Sequence, residues 1–156
     1  LIAVEEDGEV IAGVANFPAL GRMFVAGRGA GAWRDGVRLH ASKIESVSKA
    51  VLCFQNLNGV PAARRSGLLD WFEGFWAVRS MGGALDAMFV AEGLAEVWIE
   101  QSAKPWDLAP LRIIVEEAGG RFFNFDGGRS IYGGNCACTN PFLEEEVRRF
   151  LGSPRG

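Results

Sequence analysis

The first third of the chain reads as a run of short strands. Leu1 to Glu6 alternates weakly between apolar and polar residues and meets Asp7-Gly8, a hairpin signal. Val10 to Asn16 resumes as a second strand, Phe17 to Gly21 turns, and Arg22 to Ala26 is a third. The glycine-rich Gly27 to Gly31 follows, and Ala32-Trp33-Arg34 leads to another turn at Asp35-Gly36. Residues 1 to about 40 therefore predict an antiparallel meander with no helix in it.

The pattern changes after Ser42. Ala50 to Gln55 is a short apolar strand, and Ser66 to Phe75 carries Leu68, Leu69, Phe72 and Phe75 as an amphipathic helix. Trp76 to Met81 is a strand. Gly82-Gly83 then opens a helix with Ala84, Ala87, Met88 and Ala91 at helical spacing, ended by Gly93. Ala95, Val97 and Ile99 alternate with Glu96, Trp98 and Glu100. Leu108, Leu111, Val115 and Ala118 mark the next helix, stopped by Gly119-Gly120. Arg121 to Phe125 and Asn135 to Thr139 are strands, and Asn140 is expected to cap a final helix with Pro141 at its first position. Strands alternating with helices imply an α/β layer. The expected organisation is residues 1–42 as an antiparallel sheet and residues 43–156 as an α/β domain.

Composition narrows the function classes. The chain has 156 residues, 49% of them hydrophobic and 22% charged, as expected of a globular protein. Its net charge is -3 and it has no long run of Lys or Arg, so no nucleic-acid partner is expected. No stretch of about 18 apolar residues occurs, so no membrane span is expected. The chain opens on Leu1 without a basic-then-apolar leader, which fits a trimmed start or a chain that lacks its true one. Cys53, Cys136 and Cys138 read as buried free thiols of a reducing compartment, with a cytoplasmic location expected. The single histidine, His40, removes a His-rich zinc site and has no nucleophile motif near it.

Candidate chemistry concentrates between Glu100 and Gly120. Glu100 ends a strand, and Asp107 opens the following helix after Pro105. Ligands of α/β sheets bind beyond the carboxyl ends of strands, where both carboxylates would project. Two such oxygen donors suit a hard cation such as magnesium, or the hydroxyls of a polyol. The same positions also suit a plain helix cap and a plain strand end. Arg79-Ser80-Met81-Gly82-Gly83-Ala84 is a second candidate, a strand feeding two glycines at a helix start. Its exposed N–H groups can hold an oxygen-rich ligand, or the glycines serve only a tight turn.

Trp106-Asp107-Leu108-Ala109, followed by Ile113-Ile114-Val115-Glu116-Glu117-Ala118-Gly119-Gly120, closely resembles the C-terminal signature of the inositol monophosphatase superfamily. Arg79-Ser80-Met81-Gly82, Val90-Ala91-Glu92-Gly93, the Gly27 to Gly36 hairpin and Thr139-Asn140-Pro141 sit where that family has similar segments. The resemblance runs from Leu1 to about Leu151 and is nearest to the histidinol-phosphatase-like members. It implies part of a layered α/β/α/β/α sandwich. It also implies magnesium-dependent hydrolysis of small phosphate monoesters, in which the metal activates a water. By position Asp107 resembles the second-domain metal ligand and Glu100 the ligand to a substrate hydroxyl. Gly82, Gly83 and Ala84 resemble backbone contacts to substrate. Met81, Gly83 and Pro110 depart from the family pattern.

The family's remaining metal ligands lie in a Gly-Glu-Glu-like segment and an Asp-Pro-Ile-Asp-Gly-Thr-like segment, and neither occurs in this sequence. Glu5-Glu6 does not replace them on spacing. The expectation is a truncated homologue that is not a competent phosphatase alone and binds magnesium weakly or not at all. The alternatives are a fragment of an active small-molecule phosphatase acting on a phosphorylated metabolite, and a non-catalytic ligand-binding or interaction module. In the family the first sheet is covered by preceding helices. Here Val4, Val10, Ile11, Val14, Phe17, Phe24, Val25 and Trp33 are expected to leave an apolar face, so residues 1–42 are expected to drive homo-oligomerisation.

Overall fold

The computed structural model describes residues 1–55, 65 and 67–154. The predicted helix start at Ser66 lies outside the described residues.

The meander forms as the turn dipeptides require. β1 (Ile2–Glu6), β2 (Glu9–Phe17), β3 (Arg22–Gly27), β4 (Gly31–Arg34) and β5 (Val37–Arg38) lie in that order in one antiparallel sheet. Asp7 (φ 50°) with Gly8 (φ 79°), and Asp35 (φ 48°) with Gly36 (φ 82°), take the paired left-handed conformations of tight hairpins. The second sheet has the order β7-β6-β8-β10-β9, built from β6 (Val51–Phe54), β7 (Ala77–Arg79), β8 (Val97–Glu100), β9 (Arg121–Phe123) and β10 (Cys136–Thr139). β6 runs parallel to β7 and β8, whereas β10 is antiparallel to both its neighbours.

Among the described residues four α-helices complete a mixed α/β fold: α1 (Leu68–Glu73), α2 (Gly83–Glu92), α3 (Pro105–Glu117) and α4 (Glu144–Leu151). One apolar core joins Ala15, Phe24 and Ala32 of the first sheet to Met88 of α2 and Leu108, Leu111 and Ile114 of α3. It continues into Cys53, Trp98 and Cys138 of the second sheet. A second core places α1 and α4 on the other face, through Leu68, Leu143 and Val147 against Leu52, Ile99 and Phe123. Trp71 of α1 stacks on Phe150 of α4 with ring centroids 3.8 Å apart. The layers are thus sheet, helices, sheet, helices.

Three sequence expectations change. Asn140 does not cap α4, which begins at Glu144. Its Oδ1 instead accepts from the N–H groups of Phe142 and Leu143, and its Nδ2 donates to Ser42 and Ile44, so this buried residue anchors a turn before the helix. Val10 and Phe24, expected on an exposed apolar face, point into the core at 6% and 0% exposure. A register shift between β1 and β2 at Val4/Glu5 leaves Ile11 as the extra residue and turns Val10 inward. Finally, β8 is buried throughout although its sequence alternates, because strands flank it on both sides and helices cover both faces. Glu96, just before it, is buried and accepts the Val51 N–H at 2.6 Å.

The face of the first sheet away from α3 stays open. Ile2 pairs with Val14, Val14 with Val25, and Val25 with Trp33, which makes one apolar ladder across four strands. Ile2 and Val4 are exposed.

Candidate functional site

The parallel strands β6, β7 and β8 end on the same side of the second sheet, and the chain leaves each into a different wall of one cleft. Gln55 follows β6, Gly83 and Ala84 begin α2 just after β7, and Glu100 closes β8. Ser102 and Ala103 lead into α3, whose first turns bring Asp107 and Leu111. Trp98 and Leu1 complete the lining of this cleft of about 190 Å³.

Of the residues singled out from sequence, Gly83, Ala84, Glu100 and Asp107 all line this cleft. Gly82 does not. It makes the turn just before α2 with φ 109°, a conformation that favours glycine. The two carboxylates differ in environment. Glu100 is 4% exposed and its Oε1 accepts the Ser102 N–H at 3.1 Å. Burial raises its carboxyl above the ordinary range, opposed in part by the Ser102 and Gln101 N–H groups, with Asp107 and Asp86 adding like-charge repulsion. Asp107 is half-buried, and its Oδ2 accepts the Lys104 N–H at 3.2 Å across the first turn of α3. It is therefore a helix cap whose other oxygen is not used by that bond.

Two further residues shape the wall and were not legible as functional from the sequence. Gln55 Oε1 accepts the Gly83 N–H at 2.6 Å. Asp86, fully buried, accepts from Met81 N–H at 2.8 Å, Gly82 N–H at 3.3 Å and the Ser80 hydroxyl at 3.3 Å. The available signal was a carboxylate four residues after Gly82, one turn into a helix that lacks a capping side chain at its start. Asp86 also bears on Cys53, whose thiol is pushed up to about 12, chiefly by burial and then by this carboxylate. The thiol of Cys136 is likewise raised by burial, then by its neighbour Cys138. These cysteines are core residues rather than nucleophiles.

Magnesium asks for near-octahedral oxygen ligation. The cleft offers two carboxylates, one engaged with the backbone of its own helix and one biased toward its protonated form. Among the described residues no group of three or more His, Cys, Asp or Glu side chains is placed to hold a metal ion. The side chains of the described residues do not complete a magnesium site, although Asp107 can contribute one ligand.

The motif after Asp107 has a structural explanation. Glu117, at the end of α3, accepts the N–H groups of Gly29 and Gly31, each at 2.8 Å, and so pins the β3–β4 hairpin. Gly119 is left-handed at φ 90°, and a Cβ on Gly120 would fall 2.9 Å from the Thr139 carbonyl oxygen.

A fold with two sheets and interleaved helices, and a cleft with a carboxylate at a strand end and another at a helix start, define a class that sequence comparison makes specific. The inositol monophosphatase family profile matches residues 1–151, and the chain belongs to that family. It is 41% identical to a histidinol-phosphatase of Mycobacterium tuberculosis, over 94% of this chain and 59% of that protein. It is 28% identical to an inositol-1-monophosphatase of Rhizobium meliloti, over 98% of this chain and 59% of that protein. Its fold superposes on the extragenic suppressor protein suhB of Bartonella henselae with a TM-score of 0.87 at 27% identity, covering 96% of this chain and 60% of that one. The chain thus spans about three fifths of the length of these relatives. Among the described residues no helix is long and apolar enough to cross a membrane.

Proposed function

We propose that this chain carries the alcohol-binding side of a phosphate monoester hydrolase site and does not turn over substrate by itself. The observation that carries the reading is the convergence of Gly83, Ala84, Glu100 and Asp107 on one small cleft that offers only two carboxylates. A helix-start backbone and a buried carboxylate lining one cleft suit the hydroxyls of a small polyol or amino alcohol. Glu100 accepts from a substrate hydroxyl, Gly83 and Ala84 contribute backbone contacts, and Asp107 supplies one ligand of a magnesium site completed by groups outside this set. The names of the relatives point to histidinol phosphate or inositol phosphate as the substrate class. The buried free thiols support a reducing compartment such as the cytoplasm.

The test is a titration of the 156-residue chain with L-histidinol phosphate and with inositol 1-phosphate, followed by amide NMR and by phosphate release with and without magnesium. The expected result is amide shifts at Gly83, Ala84 and Glu100 and no phosphate release. Magnesium-dependent release that disappears in Asp107→Asn would overturn the non-catalytic part.

A second reading, a fragment of an active phosphatase, is favoured by the 41% identity to a protein of which only 59% is covered. It predicts that joining the chain to the unmatched portion of such a relative yields magnesium-dependent release. For the isolated chain we also propose self-association through the open ladder of Ile2, Val14, Val25 and Trp33, with a second copy covering it.

A further inference from the structure

The geometry points to Asp86 as the residue that positions the amide wall of the cleft, an inference that rests on the ligand-binding reading above. The turn between β7 and α2 has little to hold it. Gly82 is left-handed, no side chain caps the helix at its start, and a Cβ on Gly82 would meet nothing within 4 Å. Regular secondary structure leaves the N–H groups of Met81 and Gly82 without partners, and an unheld glycine turn samples many conformations.

Asp86 closes this gap from one turn inside the helix. Its carboxylate is completely buried and takes both N–H groups and the Ser80 hydroxyl. These donors, and the Cys53 thiol that also hydrogen-bonds to Asp86, are uncharged. A buried carboxylate held only by neutral donors is a costly way to start a helix, because Ser or Asp at the cap position would do so at the surface. What the buried carboxylate adds is direction. It fixes the chain on the inner side of the turn, while Gln55 fixes Gly83 from β6. Next to these two clamps Gly83 and Ala84 line the same cleft as Glu100. Asp86 touches no ligand in this scheme and acts through the amides it holds.

The experiment compares Asp86→Ala and Asp86→Asn with the unaltered chain by residue-resolved amide hydrogen exchange and by NMR titration with L-histidinol phosphate. In Asp86→Ala, exchange at Met81 and Gly82 is expected to rise at least about tenfold relative to Val90 and Ala91 deeper in α2. The dissociation constant for the probe is expected to weaken by a similar factor. Asp86→Asn keeps one acceptor oxygen and is expected to protect one of the two amides and recover part of the affinity. Equal acceleration along the whole of α2 would reduce Asp86 to a folding residue and overturn the proposal, as would unchanged exchange at Met81 and Gly82 in both variants. If Asp86→Ala does not fold, Asp86→Asn decides between these outcomes alone. Failure of the unaltered chain to bind the probe would sink the ligand-binding reading, and the exchange comparison would still decide the role of Asp86.

Discussion

Gly13 in β2 and Pro110 in α3 meet with no room for a side chain between them. A Cβ on Gly13 would lie 2.9 Å from the Pro110 Cα and 2.6 Å from the Ile113 Cγ2. Pro110 forgoes one helical hydrogen bond, and the bare glycine opposite lets the helix lie directly on the sheet. Gly13→Ala is therefore expected to destabilise the chain by about 1–3 kcal/mol. Thermal denaturation checks this, at roughly 2–4 °C of lost midpoint per kcal/mol for a chain of this size.

Glu117 fastens the other end of the same helix to the first sheet. Glu117→Gln keeps the shape but leaves only one acceptor oxygen for the two glycine N–H groups. The expected cost is about 1 kcal/mol. Hydrogen exchange should quicken at Gly29 or Gly31 before it quickens in β2. Unchanged protection at both glycines would show that the hairpin is held by other contacts.

Glu100 makes stability depend on pH in the less common direction. Its carboxyl is raised in the folded chain, mainly by burial, so the folded state holds the proton at pH values where the unfolded state has released it. The contribution is fully present below the ordinary carboxylate value and is lost as pH rises through the folded one. Glu100→Gln, which cannot ionise, is expected to match the unaltered chain near pH 4 and to exceed its stability near pH 8. Denaturant midpoints at the two pH values provide the comparison. A variant less stable at both would mean that the ionised carboxylate is the favoured native form.

The open ladder on the first sheet gives a prediction about assembly. Light scattering at micromolar concentration is expected to report a dimer or larger species, and Val25→Lys is expected to shift it toward monomer. A monodisperse monomer of the unaltered chain would remove the self-association proposal.

What could be read in advance depended on how local each signal is. Asp7-Gly8 and Asp35-Gly36 dictate their hairpins from within two residues, and the meander followed. Glu100 and Asp107 stood out because a strand end and a helix start are themselves local features. Glu117 could not be read this way, since its partners lie 86 and 88 residues away in sequence. Asp86 was hidden for a different reason. Helical spacing picks out Ala84, Ala87, Met88 and Ala91, and it carries no signal that the carboxylate among them turns back toward the helix start. Asn140-Pro141 misled because it has the composition of a helix start, whereas the asparagine amide is committed to Ser42 and Ile44.

Helix α3 lies against β1, β2, β3 and β4, and also against α2, β9 and β10. It carries Asp107 at one end and Glu117 at the other, so it splints the two sheets rather than belonging to either. The chain is consequently poor material for modular exchange. A crossover near residue 42 would separate the splint from half of what it braces, even though the sequence changes character there. Substitutions in the first sheet can thereby alter how Asp107 is presented, and variation in the two halves has to be compatible to be inherited together.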